Sequence, residues 1–153
     1  MAIETERKYL VEGDSWKKLV SSSYELKQSY EDVGNGVMRV RTARGKGYVT
    51  MKFAHSGIRR IEYEYEIPVA DAEKIIEGLF GGAHIEKIRH ELSYGGKEWI
   101  VDEFKGRNEG LVMAEIELES EDEKTPVPEW AVHEVTGDYR YYNSYLSKNP
   151  YSK

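Results

Sequence analysis

Along most of the chain, apolar and polar positions alternate with a period of two. The pattern begins at IETERKYLV, where an extended backbone puts Glu4, Glu6 and Lys8 on one face and Ile3, Thr5, Arg7, Tyr9 and Val11 on the other. It returns in YELKQSYEDV, VMRVRTA, GYVTMKFA, IRRIEYEYEI, HIEKIRHELSY, KEWIVDEF and LVMAEIELES. Turn-forming segments separate these runs: Gly34-Asn35-Gly36, then RGKG, HSG, a Gly-Gly pair and KGRNEG. About eight strands joined by short turns predict an antiparallel meander or barrel.

Helical spacing is confined to short segments. DAEKIIEGLF predicts a helix with Asp71 as its N-cap, an apolar face of Ala72, Ile75, Ile76, Leu79 and Phe80, and Gly81 and Gly82 as its stop. DSWKKLV predicts a short helix after Asp14, packed through Trp16, Leu19 and Val20. GDYRYYNSYL predicts a final helix with Tyr139, Tyr142 and Leu146 on one face, and EDEKTPVPEW before it reads as a loop. With no internal repeat or linker, residues 1–153 are expected to form a single domain of the α+β class, mainly β.

The polar faces of the strands carry charge in same-sign blocks. Arg39 and Arg41 share a face, as do Lys87 and Arg89; Glu62, Glu64 and Glu66 follow Arg60, and Glu115, Glu117 and Glu119 alternate with Ala114, Ile116 and Leu118. One reading is an open sheet with a wet face, since antiparallel sheets commonly alternate in this way. The other is a closed barrel whose interior is the charged face. Like charges two residues apart repel unless a counter-charge is supplied, and the few helices cannot cover eight strands from one side. A barrel of about eight strands can hold a small ligand. Arg and Lys inside it suit a polyanion, and carboxylates beside them suit a hard divalent cation shared with phosphate oxygens.

Composition narrows the field. The 153 residues include no cysteine, which excludes disulfides, thiolate zinc and a cysteine nucleophile and fits a reducing compartment. The net charge of −6 argues against nucleic acid as a partner. No apolar run approaches the roughly 20 residues that span a bilayer, and no signal-peptide pattern opens the chain, so no membrane association and a cytoplasmic location are expected. His55, His84, His90 and His133 are scattered without metal-ligand spacing and read as surface or helix-end residues.

The ordered set of charged motifs resembles the CYTH superfamily, the triphosphate tunnel metalloenzymes, in its short bacterial inorganic triphosphatase form. The resemblance rests on ExExK at Glu4, Glu6 and Lys8, RxR at Arg39 and Arg41, TMK ending at Lys52, and RIEYE with Arg60, Glu62 and Glu64. It continues through KxR at Lys87 and Arg89, Asp102 in VDEF, ExE at Glu115 and Glu117, and the closing EVTGDYRYYN. It implies an eight-stranded antiparallel closed tunnel with a charged interior and a few flanking helices. It further implies Mg²⁺ or Mn²⁺ on Glu4, Glu6, Glu115 and Glu117, and phosphates on Lys8, Arg39, Arg41, Lys52, Arg60, Lys87 and Arg89. Glu62 and Asp102 are implied to support the basic groups or a second metal. The attacking water is left to a second metal, to a carboxylate such as Glu6 or Glu64, or to Lys8 paired with Tyr30.

The implied reaction is metal-dependent hydrolysis of inorganic triphosphate to diphosphate and phosphate, because the short hairpin loops leave little material for an adenosine or thiamine pocket. Class IV adenylate cyclase or thiamine or nucleoside triphosphatase activity in the same tunnel is the alternative. A polyphosphate-binding module without chemistry is a third reading, and the complete carboxylate set argues against it. An apolar outer barrel face with few helices to cover it leads to the expectation of a homodimer.

Overall fold

Strand pairing follows the turns. The computed structural model describes residues 3–151 and contains β1 (Ile3–Val11), β2 (Val20–Val33), β3 (Gly36–Ala43), β4 (Lys46–Ala54), β5 (Arg59–Ile67), β6 (Ile85–Tyr94), β7 (Lys97–Lys105), β8 (Val112–Glu117) and β9 (Ala131–Glu134). The ladder runs β5-β4-β3-β2-β6-β7-β8-β1-β9, and a further β5–β1 pairing closes the first eight strands into an antiparallel barrel. Closure rests on the short register Ile3–Ile61, Glu4–Arg60 and Thr5–Arg59. β9 then takes the edge of β1 through Tyr9, Leu10 and Val11, beyond the reach of β5. The closed barrel agrees with the sequence reading of the charged face as an interior.

The β3–β4 hairpin shows how local chemistry sets register. Ala43 pairs with Lys46, which leaves Arg44 and Gly45 as a two-residue turn with positive φ at both positions, 52° and 77°. That backbone suits a right-twisted hairpin, yet it disfavours a residue with a Cβ. Arg44 is held there by stacking its guanidinium 3.7 Å over the Tyr24 ring and pairing with Glu91 at 3.1 Å.

Two apolar clusters cover the outside of the barrel. Tyr9, Leu92, Trp99, Val101, Ala114 and Ile116 pack beneath Trp16, from a 3-10 turn at Ser15–Leu19, and beneath Trp130. Val40 packs under Ala72 and Ile76, from the helix α1 (Val69–Lys74) and the π-helical turn Ile75–Leu79 that continues it. Gly47 lets α1 lie close, since a Cβ there would come within 2.8 Å of the Ala72 methyl. On the outer face of β5, by contrast, Tyr63 and Tyr65 are exposed.

A third cluster lies at one end of the barrel, where inward positions become apolar. Each charged or amide residue has an apolar neighbour two positions along its strand: Lys8 has Leu10, Gln28 has Tyr30, Lys87 has Ile85, Asp102 has Phe104 and Glu115 has Met113. Val135 and Leu146 complete the cluster, the latter from α2 (Asn143–Lys148). No helix among the described residues is long and apolar enough to cross a membrane.

Four expectations are corrected. The predicted final helix over GDYRYYNSYL is a 3-10 turn, Tyr139–Tyr141, followed by α2, because Tyr142 takes an extended backbone. Tyr139 is accordingly exposed while Leu146 is buried, so the three residues do not share a packed face. Asp71 does not cap α1: Pro68 occupies that place and Asp71 sits in the first turn, where its charge still complements the helix dipole. The π-helical turn rotates Leu79 outward to 74 % exposure.

Candidate active site

Alternate residues of the barrel strands point inward and line a cavity of about 990 Å³. Glu4, Glu6, Lys8, Arg39, Arg41, Lys52, Arg60, Glu62, Glu64, Lys87, Arg89, Glu115 and Glu117 all reach it, and Tyr30 lines it as well. Asp102 stands behind Lys87 and Arg89 and is 2 % exposed.

The metal-side carboxylates come from neighbouring strands, β1 and β8. Glu6 is directly opposite Glu117 and Lys8 is directly opposite Glu115, with the Lys8 ammonium 3.7 Å from the Glu115 carboxylate. Burial, followed by repulsion from Glu115, raises the Glu6 carboxyl above its ordinary value. Burial also acts on Glu115, but Lys8 and Arg89 outweigh it and bring this carboxyl down to about 2. On the other side, Lys52 lies 3.3 Å from both Glu4 and Glu62. Burial drives Glu4 up to about 8 despite Lys52, with Glu6 and Glu62 adding to the effect.

The cations are held from behind. Asp102 accepts from Lys87 Nζ at 2.7 Å, from Arg89 Nε at 2.9 Å and from an Arg89 terminal nitrogen at 3.0 Å. These bonds and charges overcome its burial and keep its carboxyl well below the usual range. Burial lowers Lys87 to about 7, against the pull of Asp102, and lowers Arg41 to about 9, with Arg39 and Arg89 adding repulsion. Arg39 donates to Thr50 and Glu64, each at 3.2 Å, and Thr50 donates to Glu64 at 2.8 Å. Glu64 therefore lies against Arg39.

Several contacts were not foreseen. Tyr30 Oη accepts from Gln28 Nε2 at 2.8 Å, and the Tyr30 ring packs in the apolar end of the barrel. Among the described residues no hydrogen bond joins Tyr30 to Lys8. The aromatic ring beside Lys8 is Tyr142, 5.9 Å from its ammonium, and the Tyr142 hydroxyl accepts from Arg60 at 3.0 Å. Asn143 Oδ1 accepts from Lys87 and from Gln28. Gln28 was legible from its parity with Tyr30 on one strand. Tyr142 and Asn143 were not, because their place depends on how the last segment folds back.

Among the described residues no three acidic or histidine groups already surround a common point at ligating distance, since Lys8 and Lys52 lie among the glutamates. The donor set nonetheless fits a hard divalent cation. Glu6 faces Glu117 directly, and the upward displacement of Glu4 and Glu6 marks buried carboxylates short of positive charge.

Comparison with known proteins agrees with this geometry. The CYTH domain family pattern matches residues 2–148. A curated protein of Acetivibrio thermocellus, named inorganic triphosphatase, is 48 % identical over 152 residues, covering 99 % of this chain and 97 % of that protein. The crystal structure of the inorganic triphosphatase NE1496 superposes with a TM-score of 0.66 at 29 % identity, covering 96 % of this chain and 95 % of that one. PH1012 protein from Pyrococcus horikoshii OT3 shares the fold at a TM-score of 0.61 and 19 % identity, over 78 % of this chain and 80 % of that one.

Proposed function

The chain belongs to the CYTH domain family, and we propose that it hydrolyses inorganic triphosphate to diphosphate and phosphate in the barrel interior. The observation that carries this reading is the pairing of two opposed sets in one cavity: carboxylates on β1 and β8, and inward cations on β3, β4 and β6. A polyphosphate and a divalent cation together neutralise both.

Glu4, Glu6, Glu115 and Glu117 would hold the metal, Mg²⁺ or Mn²⁺. When bound, it would supply positive charge to phosphoryl oxygens and lower the pKa of a water. Arg39, Arg41, Lys52, Arg60, Lys87 and Arg89 bind phosphate oxygens, and Lys8 joins them beside Glu115. Phosphoryl transfer calls for positioning and charge stabilisation more than covalent chemistry, which matches a site made of cations held in place. Glu62 and Asp102 support by holding Lys52, and Lys87 with Arg89. Proton removal from the attacking water falls to Glu6, Glu64 or the Lys8 and Tyr30 pair. Glu64 is engaged by Arg39, Tyr30 by Gln28 and Lys8 by Glu115, so Glu6 is the least engaged by protein partners of the four.

Residues 1–153 act as one CYTH domain in this reading, in the cytoplasm and as a homodimer, for which the exposed Tyr63 and Tyr65 on β5 offer an uncovered outer face. The apolar barrel end, filled by Tyr30, Leu146 and Val135, favours a compact triphosphate over a nucleotide. Comparison of kcat/KM for triphosphate, ATP and thiamine triphosphate tests this choice. A preference for triphosphate supports it, and equal or better turnover of either alternative overturns it.

A further inference from the structure

We propose that Gln28 and Asn143 are positioning residues that orient Arg41 and Lys87 toward the substrate without cancelling their charge. The inference rests on the triphosphatase reading and names a property of that site carried by neither the charged motifs nor the metal ligands.

The polarity of this pair is fixed from both ends. A lysine ammonium can only donate, so the Asn143 atom 2.9 Å from Lys87 Nζ is its carbonyl oxygen. Arg41 Nε also only donates, so it faces the Gln28 carbonyl oxygen. That leaves Gln28 Nε2 to donate to Asn143 Oδ1 at 3.1 Å and to the Tyr30 hydroxyl at 2.8 Å. Gln28 is 0 % exposed, so its amide is fully committed within the protein.

The charge balance gives the arrangement its use. Asp102 bonds Lys87 and Arg89, while Arg41 has a neutral amide where a carboxylate could stand. Three cations are thus fixed with one carboxylate among their bonded partners, and the surplus positive charge faces the cavity. A carboxylate in place of Asn143 would accept the same two bonds and reduce that surplus; one in place of Gln28 would keep the Arg41 bond, reduce the surplus and lose the donor to Asn143. Asn143 is also the first residue of α2, so the seating of that helix, through Leu146, sets the Lys87 end of the relay.

The test uses two near-isosteric variants, Asn143→Asp and Gln28→Glu, in the full chain. The expected result is a rise in KM for triphosphate of about tenfold or more, the size of a weakened charge-assisted hydrogen bond, with a smaller change in kcat. Calorimetric titration with triphosphate in EDTA, where no hydrolysis occurs, should show a parallel loss of affinity, while the thermal midpoint of Asn143→Asp, which keeps every bond of the pair, is not lowered. If both variants bind triphosphate within about twofold of wild type, the inference falls while the triphosphatase reading stands. If wild type binds triphosphate tightly but does not cleave it with Mg²⁺ or Mn²⁺, the triphosphatase reading falls, and loss of binding in the variants still supports the relay. If wild type neither binds triphosphate in EDTA nor cleaves it with Mg²⁺ or Mn²⁺, both fall.

Discussion

Glu6 and Glu117 are direct partners across the β1–β8 ladder, and both face the cavity. Like charges placed opposite each other on adjacent strands destabilise the sheet, so the pair is retained at a cost that a bound cation removes. Glu117→Gln should therefore have two effects of opposite sign. In EDTA its thermal midpoint should be no lower than that of wild type. With saturating Mg²⁺, triphosphate turnover should drop by about 100-fold or more, as expected when a charge-stabilising group is lost from the site. Differential scanning fluorimetry and phosphate release on the same sample check both.

Removal of the charge on Asp102 addresses the cations instead. Asp102→Asn leaves Lys87 and Arg89 buried without their shared carboxylate, which should destabilise the fold by about 3–5 kcal/mol. Urea denaturation at neutral pH measures the difference.

Acid stability follows from the same residue. The folded carboxyl of Asp102 lies below the unfolded value of about 3.9, so over the interval between the two the unfolded chain binds more protons. Its contribution is fully present above about pH 5 and is lost as pH falls through the folded value. Wild type should lose stability on acidification from about pH 5 downward more steeply than Asp102→Asn. Denaturation midpoints across pH 3–6 would show parallel curves if the carboxylate had no such role.

The apolar end of the barrel makes a separate prediction. Leu146 is buried among Tyr30, Phe104, Met113 and Val135, so Leu146→Ala should destabilise by about 2–5 kcal/mol through the cavity left behind. Loosening α2 should also weaken triphosphate binding through Asn143, which calorimetry in EDTA would detect.

The barrel and its lining were legible because β-strand parity is strict. Once Glu4, Glu6 and Lys8 share a face, the later same-sign blocks fall on that same interior face and their apolar neighbours fall on the outer one, where the two clusters cover most of them. The ends of the chain obeyed other rules. Tyr142 and Asn143 sit in a segment with helical spacing, yet Tyr142 is extended, because Arg60 and the cavity on one side compete with helix formation on the other. β9 was not foreseen because four residues, AVHE, carry too little alternation to mark a strand; the free edge of β1 beyond β5 is what recruits them. Glu64 and Tyr30 face inward as parity requires, but parity says nothing of partners, and Arg39 and Gln28 hold them.

The most direct measurement is phosphate and diphosphate release from inorganic triphosphate by the purified protein, with Mg²⁺ or Mn²⁺ and then with EDTA. The account predicts equal amounts of the two products with metal and none in EDTA. Tight triphosphate binding with no cleavage under either metal would contradict it.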